Sequence, residues 1–201
     1  MSASRRMEPR RIEICILAGG LSSRMGCDKA RMRLGDRTML QFVRDIAKST
    51  GFRVRMLRRD LVPRSGPLGG IYSALKNTNA DAIVFLACDM PFVRKEMIDK
   101  LLATAVADPA TGIFFSLRGK LTFPILIPRM RTDEIALCLR ESELSLQSLG
   151  KRLRSTVVRC PRKWLRCLDN INTPDDFARA RKSLQRQDRR PSRQISGCPS
   201  H

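Results

Sequence analysis

Residues 17–29, LAGGLSSRMGCDK, set three glycines, two serines and the cations Arg24 and Lys29 directly behind an apolar run, Ile12 to Ala18. Glycine lets backbone N–H groups approach an anion with no Cβ in the way. Arginine holds phosphate as a fork and lysine as a point charge. The chemistry open to such a loop is the wrapping of phosphates. Its spacing matches neither the P-loop pattern GxxxxGK[ST] nor GxGxxG. A plain glycine turn with solvated charges would use the same residue types.

Three further stretches carry comparable chemistry. In ACDMPF, 87–92, the most continuous apolar run of the chain ends in Cys88-Asp89, and Pro91 follows. A lone carboxylate at such a point suits Mg²⁺, whose shell phosphate oxygens and waters complete. It would also serve as the N-cap of a following helix. In RDLVPRSGPLGGIYSAL, 59–75, Gly66, Gly69 and Gly70 surround a predicted helix start where amides can face an anion. Asp60 stands just ahead of it. In LDNINTPDDF, 168–177, Asn172 or Thr173 can cap a helix that has Pro174 at its first position and Asp175 and Asp176 in its first turn.

The elements that must position these residues follow from hydrophobic periodicity. Residues 12–18 read as a buried strand, and 38–49 as a helix with Met39, Phe42, Val43 and Ile46 on one face, stopped by Gly51. Residues 52–58 alternate as a strand, 68–77 fit a short helix, and 82–88 fit a parallel strand covered on both faces. A helix over 94–107, strand pieces within 111–127 joined at Arg118-Gly119-Lys120, helices near 131–140 and 144–153, a strand at 155–160 and a helix from Thr173 complete the reading. Strands alternating with helices imply one three-layer α/β/α domain with a mostly parallel sheet. Ligands of such sheets bind beyond the carboxyl ends of the strands, where LAGGLSSRMGCDK, Asp60 and Asp89 all fall. Residues 1–11 form a basic N-terminal extension, 12–184 the domain, and 185–201, rich in Arg, Gln, Ser and Pro, a tail expected to be disordered.

Composition removes several classes of function. The only histidine is His201, so a histidine general base or a histidine-rich metal site is not expected. Seven cysteines, an odd number with no CxxC pair, read as reduced thiols. No apolar run approaches the roughly 20 residues that span a bilayer, and the N-terminus lacks the apolar segment of a secretory signal. The protein is therefore expected to be soluble and cytoplasmic, with no membrane partner. The formal charge of +20 suits polyanionic ligands. With 5% aromatic residues and no aromatic-basic pattern, a dedicated single-strand binder is disfavoured, and nucleic acid is expected to bind only nonspecifically.

Together, LAGGLSSRMGCDKA, GPLGGIYSAL, CDMPF and NINTPDD, in that order over residues 12–182, resemble the molybdenum cofactor guanylyltransferases and their nucleotidyltransferase relatives. The resemblance implies a Rossmann-like fold and Mg²⁺-dependent transfer of GMP from GTP to the phosphate of a molybdopterin-type acceptor. It implies nucleotide contacts at Leu17, Ala18, Gly19, Gly20, Lys29 and Asp60, with Asp89 as magnesium ligand and nucleotide contact. Arg24, Lys29 and Asp89 would then be the catalytic group, and Asn170 and Asn172 would lie on the pterin side. The chain departs from the pattern at Phe123, which replaces a frequent polar residue before Pro124, and in two further ways. Gly51 leads almost directly into FRVRMLRRD, one strand-and-loop unit shorter than usual, which removes a base-reading asparagine, and Asp60 sits one residue closer to GPL. A transferase of CTP or a sugar phosphate, or an inactive nucleotide- or nucleic-acid-binding protein, remains open as an alternative.

Overall fold

The computed structural model describes residues 11–19, 32–62 and 64–188. The chain runs β1 (Ile12–Leu17), β2 (Arg33–Leu34), β3 (Arg37–Thr38), α1 (Met39–Lys48), β4 (Arg53–Leu57), α2 (Gly66–Lys76), β5 (Ala82–Ala87), α3 (Lys95–Ala107), β6 (Ile113–Leu117) and β7 (Lys120–Pro128). A 3₁₀ turn, α4 (Thr132–Arg140), α5 (Leu146–Arg152), β8 (Thr156–Arg159), a long 3₁₀ turn (Arg162–Leu168) and α6 (Pro174–Asp188) follow.

Six strands form one sheet in the order β4-β1-β5-β7-β6-β8. β1 runs parallel to β4 and β5, and β6 runs parallel to β8. Only β7 is reversed, antiparallel to β5 and to β6. The mostly parallel three-layer fold expected from the alternation is what forms. By the right-handed rule for parallel crossovers, α1 between β1 and β4 and α2 between β4 and β5 fall on opposite faces of the sheet. Inner strands are covered on both sides: Ile14, Cys15 and Ile16 of β1 and Ile83, Val84 and Phe85 of β5 are fully buried. Burial pushes the Cys15 thiol up to about 12, against the opposing pull of Arg55, so it packs as a small hydrophobe. Among the described residues, Cys15, Cys138, Cys160 and Cys167 carry free thiols.

Local chemistry explains the boundaries. Thr38 caps α1 reciprocally: its Oγ1 accepts the Gln41 N–H at 3.1 Å, and the Thr38 N–H donates to Gln41 Oε1 at 2.6 Å. Gly51 takes φ +80° just past the helix, and β4 begins at Arg53. Four residues thus separate α1 from β4, leaving no room for another strand. α2 starts at Gly66, two residues before the predicted 68, because Pro67 is already set for a first helical turn. Pro124 is tolerated inside β7 because the ladder with β6 shifts register there, so no strand amide is missing at that point.

The β2–β3 hairpin and the 3₁₀ turn at Arg162–Leu168 were not anticipated, since elements this short leave no periodicity to read. A second, smaller core joins that hairpin to α1 and α6. Leu34, Met39, Ile171 and Ala180 are buried there, with Phe92, Phe177 and Leu184 packed against them. α6 continues through Asp188, beyond the boundary at 184 read from composition. Residues 1–10 and 189–201, which hold most of the expected extension and tail, lie outside the described residues.

Candidate active site

The carboxyl ends of β4, β1 and β5 are level, with Leu17 in register with both Leu57 and Ala87. Pairing continues one step beyond the strands: the Ala18 N–H donates to the Leu57 carbonyl at 2.8 Å, and the Cys88 N–H to the Leu17 carbonyl at 3.1 Å. Ala18-Gly19, Arg58-Arg59-Asp60 and Cys88-Asp89 therefore leave the sheet side by side. Of the expected site residues, the structure brings Leu17, Ala18, Gly19, Asp60 and Asp89 to this edge. Gly20, Arg24 and Lys29 lie outside the described residues.

Asp60 is packed among glycines. A Cβ built on Gly70 would stand 3.2 Å from Asp60 Oδ1, one on Gly69 3.3 Å from Oδ2, and one on Gly19 3.6 Å from Oδ1. A Cβ on Gly19 would also come within 2.9 Å of the Arg58 carbonyl oxygen. These glycines let the chain after β1, the chain after β4 and the first turns of α2 approach closely enough to enclose the carboxyl group. Burial raises the Asp60 pKa above the ordinary carboxylate value.

Asp89 is half-buried at the end of β5. Its carbonyl accepts the Ile171 N–H at 2.9 Å. That bond, with Ile171 2% exposed in the smaller core, brings the segment carrying Asn170 and Asn172 onto the Asp89 turn. Asn170 is exposed and Asn172 half-buried. The segment is held from the other side by Asp176, whose Oδ2 accepts the N–H groups of Asn172 at 3.0 Å and Thr173 at 2.8 Å. The Asp176 N–H in turn donates to Thr173 Oγ1 at 3.1 Å, and Arg179 pairs with the carboxylate. Burial works to raise the Asp176 pKa, but the hydrogen bonds from Thr173 and Asn172 and the charge of Arg179 outweigh it and hold it below the ordinary value. Thr173 is thus the cap that the sequence offered as one of two choices. The partner role of Asp176 and the bond between Ile171 and Asp89 join parts of the chain that sequence spacing alone does not connect.

No group of three or more His, Cys, Asp or Glu side chains able to hold a metal exists among the described residues. A single carboxylate at the carboxyl edge of a parallel sheet is nevertheless a donor set that fits Mg²⁺, a hard cation that keeps several waters and takes substrate oxygens as ligands. It does not fit zinc, which needs several nitrogen or sulfur donors. No helix among the described residues is long and apolar enough to cross a membrane.

The profile of the MobA-like NTP transferase domain matches residues 14–157. The chain belongs to the MobA-like NTP transferase domain family. The matched stretch contains Leu17, Ala18, Gly19, Asp60 and Asp89 and ends ahead of Asn170 and Asn172. The chain is 30% identical over 185 residues to the molybdenum cofactor guanylyltransferase of Haemophilus influenzae, covering 83% of this chain and 95% of that one. It is 35% identical over 106 residues to the probable molybdenum cofactor guanylyltransferase of Methanothermobacter thermautotrophicus, a match to 42% of this chain and about half, 53%, of that relative. Among solved structures, molybdopterin-guanine dinucleotide biosynthesis protein A of Archaeoglobus fulgidus superposes with a TM-score of 0.72 at 23% identity, over 87% of this chain and 99% of that one. This MobA-like chain thus has the nucleotidyltransferase fold, and the residues that follow β1, β4 and β5 at the edge lie within the stretch that the family profile covers.

Proposed function

We propose that the chain transfers GMP from GTP to the phosphate of a molybdopterin-type acceptor and releases pyrophosphate, in the cytoplasm. The observation that carries this reading is the edge itself. Asp60 beside the first turns of α2, Asp89 at the end of β5 and the Asn170–Asn172 segment tied to the Asp89 carbonyl stand in a row. A donor nucleotide and an acceptor fit side by side along such a row. The relatives' names supply GTP and the acceptor class.

In the proposed reaction an acceptor phosphate oxygen attacks the α-phosphorus of GTP. The bond from that phosphorus to the bridging oxygen breaks, and the electron pair leaves on pyrophosphate. The attacking oxygen is already anionic, so no protein base is required, in keeping with a chain whose only histidine is His201. What the protein supplies is alignment and charge neutralisation. Leu17, Ala18, Gly19 and Gly20 contact the nucleotide through backbone, and Asp60 contacts the nucleoside. Lys29 and Arg24 balance the charge that grows on the leaving pyrophosphate. Asn170 and Asn172 face the pterin. Mg²⁺, held by the Asp89 carboxylate, would neutralise charge on the phosphates when bound.

One observation favours a second reading of the base. The four residues between α1 and β4 leave no place for the base-reading unit expected from the resemblance, so a CTP- or sugar-phosphate-using transferase is the alternative. Calorimetric titration of the full chain with GTP, CTP, ATP and UTP, each with and without Mg²⁺, separates them. GTP is expected to bind most tightly and to depend on Mg²⁺. Tightest binding of CTP would move the assignment to a cytidylyltransferase.

A further inference from the structure

We propose that Ser73 is a positioning residue for nucleotide selection. Its hydroxyl holds the backbone behind Asp60 against α2 and so sets where the Asp60 carboxylate meets a nucleoside. The inference rests on the nucleotide-binding reading above and deepens it.

Residues 58–62 leave the sheet at the end of β4 and join no strand or helix. Apolar burial does not hold the stretch that carries Asp60, because Leu61 is 60% exposed. What holds it is polar. The Leu61 N–H donates to Ser73 Oγ at 2.7 Å, and the Ser73 hydroxyl donates to the Gly69 carbonyl at 2.6 Å. Ser73 is 1% exposed. A serine within a helix commonly bonds the carbonyl four residues back. Here the same oxygen also captures an amide twelve residues away, using its donor and an acceptor site together.

The contact is close on the helix side as well. A Cβ on Gly69 would stand 2.8 Å from the Val62 carbonyl oxygen, and one on Gly70 3.2 Å from Asp60 Oδ1. The segment rests on bare helix backbone, and Ser73 is the latch one turn further along. With alanine at 73 the Leu61 N–H loses its acceptor and the segment is free to move off the helix, carrying Asp60 with it.

The test measures GTP and pyrophosphate affinities of the full chain by calorimetry in the wild type, Ser73→Ala, Asp60→Asn and the double variant, with a melting curve for each. Ser73→Ala is expected to weaken GTP binding by about tenfold, the scale of one misplaced hydrogen bond, and to leave pyrophosphate binding unchanged. In the Asp60→Asn background the same substitution is expected to cost nothing further, since it acts through that carboxylate. Gly69→Ala, which presses a methyl into the Val62 carbonyl, is expected to show the same selective loss and serves if Ser73→Ala does not fold. Full GTP affinity in folded Ser73→Ala, equal weakening of both ligands, or an additive loss in the double variant would overturn the proposal. A wild type that binds pyrophosphate but no nucleotide would instead overturn the parent reading, and this proposal with it.

Discussion

Asp60 shows how a single side chain can be tuned by where the backbone leaves it. Half-buried among Gly19, Gly69 and Gly70, it holds its proton to higher pH than an ordinary aspartate. The free protein is therefore stabilised, not weakened, as pH falls through that raised pKa, because the neutral form is the one burial favours. The proposed nucleoside contact would run the other way, since only the ionised carboxylate accepts two donors from a nucleoside. Guanosine, which has no phosphate to titrate, should bind with constant affinity near neutrality and progressively less tightly as pH falls through the raised Asp60 pKa. Asp60→Asn should remove that dependence, and a pH profile unchanged by the substitution would exclude Asp60 from the nucleoside contact. At this scale the sequence was informative wherever a residue follows a strand. Leu17 to Gly19 and Asp89 were readable because an apolar run ends at them, and Asp60 because an alternating strand ends just before it. Ser73 was not readable, because a serine in an apolar helix shows nothing of the distant amide it captures.

The elements were legible where they are long. The strands around 12–18, 52–58 and 82–88 and the helices around 38–49 and 94–107 fall within about two residues of the observed bounds, since each carries a full period of buried positions. The reversed direction of β7 was not legible, because strand direction is set by connections and not by composition. One tertiary device was also hidden. Glu13 of β1 is 4% exposed, with Oε1 2.8 Å from Arg55 Nε of β4 and Oε2 accepting the Thr78 hydroxyl at 2.6 Å. The same guanidinium donates to the Ala74 carbonyl at 2.7 Å and the Asn77 carbonyl at 2.9 Å. One arginine thus joins two strands and satisfies the C-terminal carbonyls of α2. Removing it strands a buried carboxylate. Arg55→Ala is expected to cost about 3 kcal/mol, a fall in melting temperature of roughly 10 °C for a chain of this size. Because Glu13 lies at the opposite end of β1 from the ligand edge, nucleotide affinity below the transition should be unchanged. A loss of affinity without a loss of stability would show that this pair serves the site.

The whole molecule combines the carboxyl edge of its sheet with a net charge of +20, which would draw the anionic nucleotide and acceptor of the proposed reaction toward it. That charge says nothing of which anion is used. In the proposed reaction, selectivity would belong to the row formed by the ends of β4, β1 and β5 and by the segment that α6 carries back to Asp89. Placing that segment was beyond the sequence, for it depends on Ile171 burying itself between the hairpin and α6 and bonding the Asp89 carbonyl. The most direct measurement is the transfer itself. The full chain is incubated with α-labelled GTP, a molybdopterin acceptor and Mg²⁺, and both labelled product and pyrophosphate are counted, for the wild type and for Asp89→Asn. The wild type is expected to release one pyrophosphate for each GMP transferred, and a correctly folded Asp89→Asn to be slower by about a hundredfold or more, as for loss of a group that stabilises transition-state charge. A folded wild type that transfers no GMP to the acceptor, or an Asp89→Asn variant that keeps the full rate, would contradict the proposed reaction.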